Sequence, residues 1–215
     1  MSRRNVLLMV VSLCCLAFVC GCGSSDRLVK TGFLSDYSNL QEHSSSSLRY
    51  VNKPALAGKY RSIIVDRVEV HFQAGAKAIK PKSEGKLTEK DMADLTNYFH
   101  SALVKAVSDA GWKVVYQPGP NVCRLRVAIT DLEETNVLLA AVPQARLVAK
   151  AGTGGAAVEA ELIDSHTGVQ LGAAVEMRAG SRVPFTGLSE WGGAKAAMDV
   201  WTGRLKQHLV EAKVW

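Results

Sequence analysis

Five cysteines could carry redox, metal or nucleophilic chemistry, and their spacing decides which. Cys14, Cys15, Cys20 and Cys22 fall within the first 22 residues, and Cys123 stands alone far downstream. Arg3 and Arg4 precede an apolar run over residues 6–19, in which Ser12 is the one polar side chain. That run falls short of the roughly 20 residues a membrane-spanning helix needs, and its basic flank fits an export signal. Val19-Cys20-Gly21-Cys22 closes it. An apolar residue and two small ones before a cysteine have the form of a bacterial lipobox, with cleavage between Gly21 and Cys22. Cys20 fits less well, because bulky Phe18 and Val19 precede it. A thiolate is the strongest common side-chain nucleophile, so Cys22 is suited to accept a diacylglycerol group. An N-acyl chain such as palmitate would follow on the new amino terminus. Each buried methylene contributes about 0.8 kcal/mol, so two or three chains anchor a protein durably. Gly23 and Ser24 follow the cysteine. The absence of an aspartate there points to the outer membrane, on the periplasmic side.

The chemistry at the N-terminus is thus attachment, performed on this chain by other enzymes. Cleavage would leave 194 of 215 residues and remove Arg3 and Arg4, so the 26 basic residues become 24 against 20 acidic ones, a net +4. That mild charge, with no basic stripe interleaved with aromatics, argues against nucleic acid. Lys77, Lys80, Lys82, Lys86 and Lys90 form the densest basic cluster. It reads as solvated surface, with acidic lipid headgroups as the alternative contact. A hydrophobic content of 47% excludes wholesale disorder. Cys123 has no intrachain partner for a disulfide and reads as a buried, inert thiol.

The mature chain must be positioned by a small set of elements. Residues 23–30 read as a short tether, and the polar 41–47 stretch with its serine run as a flexible linker. A strand is expected over 60–72, followed by a lysine-rich loop. Thr88 and Asp91 form a near capping box that opens a helix. Met92, Leu95, Phe99, Ala102, Ala106 and Ala110 make its apolar face, and Gly111 its C-cap. A short strand over 112–116 and a turn over 118–121 lead to the clearest strand, 122–132. There Cys123, Leu125, Val127 and Ile129 alternate with Arg124, Arg126, Ala128 and Thr130. Strands over 156–163 and 169–177 flank a turn from Asp164 to Gly168. A last helix over 193–212 aligns Ala197, Trp201, Leu205 and Leu209. This order predicts a single α+β domain: a largely antiparallel sheet with two main helices packed on one face. The expected division is signal peptide 1–21, lipid-anchored tether and docking segment 22–59, and α+β domain 60–215.

Catalytic patterns are absent. His43, His71, His100, His166 and His208 show no metal-ligand spacing, and no metal is expected. There is no nucleophile elbow. The glycines at 152, 154 and 155 precede a strand instead of joining a strand to a helix, which a nucleotide-binding turn requires. Asp131, Glu133 and Glu134 end a strand at a loop, where solvated acids are common.

Two segments invite a functional reading. The 133–155 connection is long and carries Val137, Leu138, Leu139 and Val142 before Pro143. It either packs over a sheet edge or offers a lip to a partner or lipid. In the 32–40 segment, Phe33, Leu34 and Tyr37 either dock onto the domain or are offered to a partner.

These residues also carry a resemblance. Gly32-Phe33-Leu34-Ser35-Asp36-Tyr37-Ser38-Asn39-Leu40, Tyr60 leading into Ile63-Ile64-Val65-Asp66, Ala128-Ile129-Thr130-Asp131-Leu132, Glu161-Leu162-Ile163-Asp164 with Thr167-Gly168, and Asp199-Val200-Trp201 resemble a bacterial lipoprotein family of unknown function, DUF3313. The family often has proline after the aspartate at 66, and Arg67 departs from that. The resemblance implies envelope location and fold, with no reaction assigned. The sequence therefore leads to a non-enzymatic envelope lipoprotein that binds a partner protein or envelope component. It needs no cofactor beyond the covalent lipid on Cys22. The alternative is a periplasmic small-molecule or lipid-binding module.

Overall fold

A computed structural model describes residues 28–72, 87–133, 154–180 and 189–212. The first strands are β1 (Gln41–Ser44) and β2 (Ser47–Val51), followed by a single helical turn, α1 (Lys53–Leu56). Next come β3 (Ser62–Val65), β4 (Glu69–Val70), α2 (Glu89–Asp109) and β5 (Lys113–Val114). The long strands β6 (Val122–Glu133), β7 (Gly155–Asp164) and β8 (Gln170–Ala179) precede α3 (Gly192–Glu211). The sheet runs β1-β2-β8-β7-β6-β3-β5, with β4 also paired to β6. Its pairs are antiparallel from β1 to β6, while β3, β4 and β5 are joined by parallel pairs. The result is one α+β domain with both long helices on one face.

The helices form for local reasons. Thr88 accepts from Asp91 N–H while Asp91 reaches back to Thr88, which completes the capping box. Such a cap stabilises a helix by about 1 kcal/mol. Gly111 takes φ 73° just past the end of α2, the left-handed position where glycine avoids a Cβ clash. Leu95, Phe99, Leu103 and Val107 of α2 and Ala197, Met198 and Trp201 of α3 are buried over Ile63, Cys123, Leu125, Val127, Ile129 and Val158. Trp112 ties the ends of this layer, its Nε1–H donating to the Leu209 carbonyl at 2.9 Å.

Three sequence expectations are corrected. The 60–72 strand is two strands, because 66–68 sets three residues against two of β6. Val65 pairs with Leu125, but Glu69 pairs with Ala128. One extra residue reverses which side chains face the helices. Ile63 sides with Cys123 before the bulge, and Val70 with Ile129 after it. The 41–47 stretch is no linker. Its serines turn a β1–β2 hairpin, and β2 pairs with β8 from Ser47–Glu176 to Val51–Gly172. All of β1 is exposed, so no apolar alternation marked it, and backbone bonding alone places it in the sheet. The boundary drawn at residue 60 accordingly falls inside the folded unit. The 112–116 strand shrinks to the two residues of β5.

Gly21 and Cys22, Lys77 through Lys86, Glu134, Val137, Leu138, Leu139, Val142 and the glycine at 152 lie outside the described residues. The described ends of the connections still share one pole. β4 runs parallel to β6, and α2 crosses back between the parallel strands β3 and β5. Phe72, the start of α2, Glu133, Gly155, Ala179 and the start of α3 therefore lie at the same end of the sheet. The opposite end carries the turn from Asp164 to Gly168 and the β2–β3 connection with α1.

Candidate functional site

The second face of the sheet is covered by the segment that follows the tether. On β7, Ala156, Val158, Ala160 and Leu162 face the helices, so Glu159 and Glu161 point the other way. They are 0% and 1% exposed. Two fully buried carboxylates need partners, since an unpaired buried charge is costly. Residues 28–40, here termed the strap, supply them.

Glu159 accepts the Thr31 backbone N–H at 2.6 Å and the Tyr37 hydroxyl. Glu161 accepts the Ser35 N–H at 2.9 Å, the Ser35 hydroxyl at 2.6 Å and the Gln170 amide at 3.0 Å, and it pairs with Arg126. Burial works to raise the Glu161 carboxyl, but the hydrogen bonds from Ser35 and Gln170 and the Arg126 charge outweigh it and hold it below its ordinary range. Burial and the bond to Glu159 push the Tyr37 phenol up.

The strap is organised before it meets the sheet. Tyr37 Oη accepts the Gly32 N–H at 2.9 Å and the Leu34 N–H at 3.1 Å. Gly32 sits at φ 89°, which disfavours any side chain. Asp36 closes a turn by accepting Ser38 N–H at 2.8 Å and Asn39 Nδ2–H at 3.1 Å. Phe33 and Leu34 fill a slot over Ala128, Ala173 and Val175, whose small side chains admit them. The Arg126 guanidinium lies 4.7 Å from the Phe33 ring centroid, and the His71 ring meets that ring edge-on at 5.2 Å. Phe33 is 4% exposed and Tyr37 half-buried, so both are spent on their own sheet in this conformation. The sequence singles out Phe33, Leu34 and Tyr37 as docking candidates but gives Glu159 and Glu161 no such role, because acids alternating with apolar residues have the pattern of a half-buried strand.

Cys123 is fully buried, and burial followed by the nearby Asp164 charge pushes its thiol up to about 12, which keeps it unreactive. Asp164 accepts the Tyr60 hydroxyl at 2.6 Å and the N–H groups of His166 and Thr167 at 2.9 Å. The Tyr60 bond chiefly, with those amides, lowers its carboxyl despite burial. Glu176 joins Arg49 of β2 to Arg204 of α3. Asp131 accepts Leu132 N–H at 2.9 Å, and Glu133 is exposed. The five histidines are dispersed: His71 meets Glu69 at 3.0 Å, His100 the Asp66 carbonyl at 3.0 Å and His208 Glu211 at 3.4 Å, while His43 and His166 are exposed. Among the described residues, no group of three acidic, His or Cys side chains is placed to hold a metal. A shallow groove between α2 and α3 is lined by Tyr98, Ala102, Ala106 and Gly203, with Lys105 and Lys206 both drawn to Asp109. Burial, then the bond to Asp199, pushes the Tyr98 phenol up to about 12. No described helix is long and apolar enough to cross a membrane.

Comparison with known proteins gives one strong match. The model of a family described as "Protein of unknown function (DUF3313)" matches residues 29–205, from the strap into α3. No curated protein matches the chain. Among solved structures, it is similar to the PelC dodecamer from Paraburkholderia phytofirmans at 16% identity and a TM-score of 0.44, covering 78% of this chain and 96% of that one. It is also similar to a minor lipoprotein from Acinetobacter baumannii at 12% identity and a TM-score of 0.35, covering 71% and 94%. Protein XCC0632 from Xanthomonas campestris is similar at 12% identity and a TM-score of 0.31, covering 74% and 86%.

Proposed function

The chain belongs to the DUF3313 family, and from that premise we propose that it is a non-enzymatic envelope lipoprotein, tethered through acylated Cys22, whose α+β body binds a partner protein or envelope component. The observation that carries this reading is the strap. Only eight residues separate Cys22 from Thr31, nine chain steps with a reach of at most about 32 Å. Immediately beyond, Thr31 and Ser35 are fastened to two buried carboxylates. A free spacer would need no such fastening, whereas a body held at a set distance from a lipid anchor does. The outer membrane, periplasmic side, is the location this reading assigns. It requires no cofactor other than the covalent lipid and involves no nucleic acid.

Crosslinking the intact protein in its envelope and identifying what co-purifies tests the binding role. A reproducible partner lost when surface residues are changed supports it. A monomer with no specific crosslink, or turnover of a substrate by the soluble domain, contradicts it.

A second reading, a small-molecule or lipid-binding module, rests on Val137, Leu138, Leu139 and Val142. Its support is topological: the connection carrying them leaves from Glu133 and returns at Gly155, which are paired at the pole where the lysine-rich connection also leaves from Phe72. Apolar and basic sequences that depart from one pole suit contact with anionic lipid. Replacing Leu138 and Leu139 with serine should then abolish binding to vesicles containing anionic lipid without changing thermal stability. A loss of stability instead would mark them as core.

A further inference from the structure

The strap is fastened differently from the hairpin that follows it. β1 and β2 join the sheet through ladder bonds. No backbone-to-backbone hydrogen bond among the described residues runs from the strap to a strand; its own Leu40 N–H donates to the Tyr37 carbonyl within the strap. Among the described residues its hydrogen bonds to the sheet pass through three side chains, Glu159, Glu161 and Gln170. Its internal bonds, from Tyr37 to Gly32 and Leu34 and from Asp36 to Ser38 and Asn39, would survive detachment. Two buried carboxylates are also a poor means of gluing a permanent layer, because well-packed apolar residues are as stabilising or more so.

We propose that the strap is a releasable latch: residues 28–40 lift from the sheet as one preformed unit while the strands beneath stay paired, uncovering Ala128, Ala173 and Val175. Because the strap follows the lipid-anchored segment directly, displacement of the body relative to the membrane acts first on Thr31 and Glu159. The latch is also proton-sensitive. The charged and titratable groups around the carboxylates are Arg126 from β6, Tyr37, Lys30 and Asp36 from the strap, and His71 beside Phe33; Gln170 from β8, which bonds both Glu161 and the Asp36 carbonyl, is neutral. The docked strap favours ionised Glu161, so docking is full at neutral pH and weakens as pH falls through the carboxylate range.

Hydrogen exchange on the full chain, wild type against Ser35→Ala, tests this. Alanine removes the hydroxyl that donates to Glu161 and leaves the bonds within the strap, at Tyr37 and Asp36, in place. Segment 28–40 should exchange as a block and about tenfold faster in the variant. Segment 155–164 should be unchanged. If 28–40 exchanges in step with 155–164 in both proteins, or the variant leaves 28–40 unaffected, the latch is wrong. Should the variant fold poorly, the wild type at falling pH decides: after correction for intrinsic exchange, strap exchange must rise below about pH 4 before that of 155–164 does.

Discussion

The Thr31 backbone N–H and the Glu159 carboxylate, 128 residues apart in the chain, meet at 2.6 Å. This bond links the N-terminal end of the strap to the middle of the sheet. It also explains why a strand of α+β origin carries acids on its inner surface. The strap turns that face of β7 into a second core, and the acids are the sockets into which it fits.

Arg126 balances this arrangement as its cation. Its side chain is 30% exposed, while that of Glu161 is buried. Arg126→Met would strand the Glu161 charge and remove the stack on Phe33. Unfolding in urea should show a loss of about 2 kcal/mol, below the 3–5 kcal/mol typical of a fully buried pair, because Arg126 retains some solvent. No change in midpoint would mean the pair contributes nothing.

Acid should destabilise the domain, and the sign follows from three carboxylates. Glu161, Asp164 and Glu176 are all held below their ordinary values in the folded state. Their contribution is present above the unfolded carboxylate pKa of about 4 and is lost as pH falls through the folded values. Tm measured from about pH 6 down to about pH 3 should fall, and Asp164→Asn should flatten that slope. An unchanged slope in the variant would remove Asp164 from the account.

Two glycines should respond oppositely to alanine. A Cβ at Gly155 would stand 2.7 Å from the Arg178 carbonyl oxygen and 3.2 Å from Ala179 Cα, both backbone. Gly155→Ala should cost about 1–3 kcal/mol by overpacking. Gly203 lies within α3 and a Cβ there meets nothing within 4 Å. Gly203→Ala should stabilise by roughly 0.5–1 kcal/mol through helix propensity. Thermal melts of the two variants give the comparison directly.

Cys123 should be silent to thiol reagents. In a chain cut back to residues 23–215, where Cys123 is the one cysteine, labelling should be negligible under native conditions and reach one thiol in denaturant. Fast native labelling would contradict its burial behind α2 and α3.

Much of the helix-covered half was legible in the sequence, because its elements obey a single period. α2 announced itself by Thr88, Asp91 and the Leu95–Phe99 face, and β6 by Cys123, Leu125, Val127 and Ile129. The second face was not. Glu159 and Glu161 have the pattern of water-facing acids, and only the arrival of Phe33 and Leu34 from far upstream makes that face interior. The docking residues were visible at one end of the chain and their receptor was invisible at the other. β1 escaped notice because Gln41 to Ser44 bury nothing. The bulge at 66–68 escaped because alternation through Ile64, Asp66 and Val68 reads smoothly across a register change.

Attachment at Cys22 is the central proposal, and acyl labelling tests it most directly. Cells expressing the wild-type chain or Cys22→Ser would be fed a clickable palmitate analogue and fractionated. The wild type should be labelled and sediment with the envelope, while Cys22→Ser should be unlabelled and released to the soluble periplasm. Labelling that persists in Cys22→Ser, or a wild-type chain that is unlabelled and soluble, would contradict it.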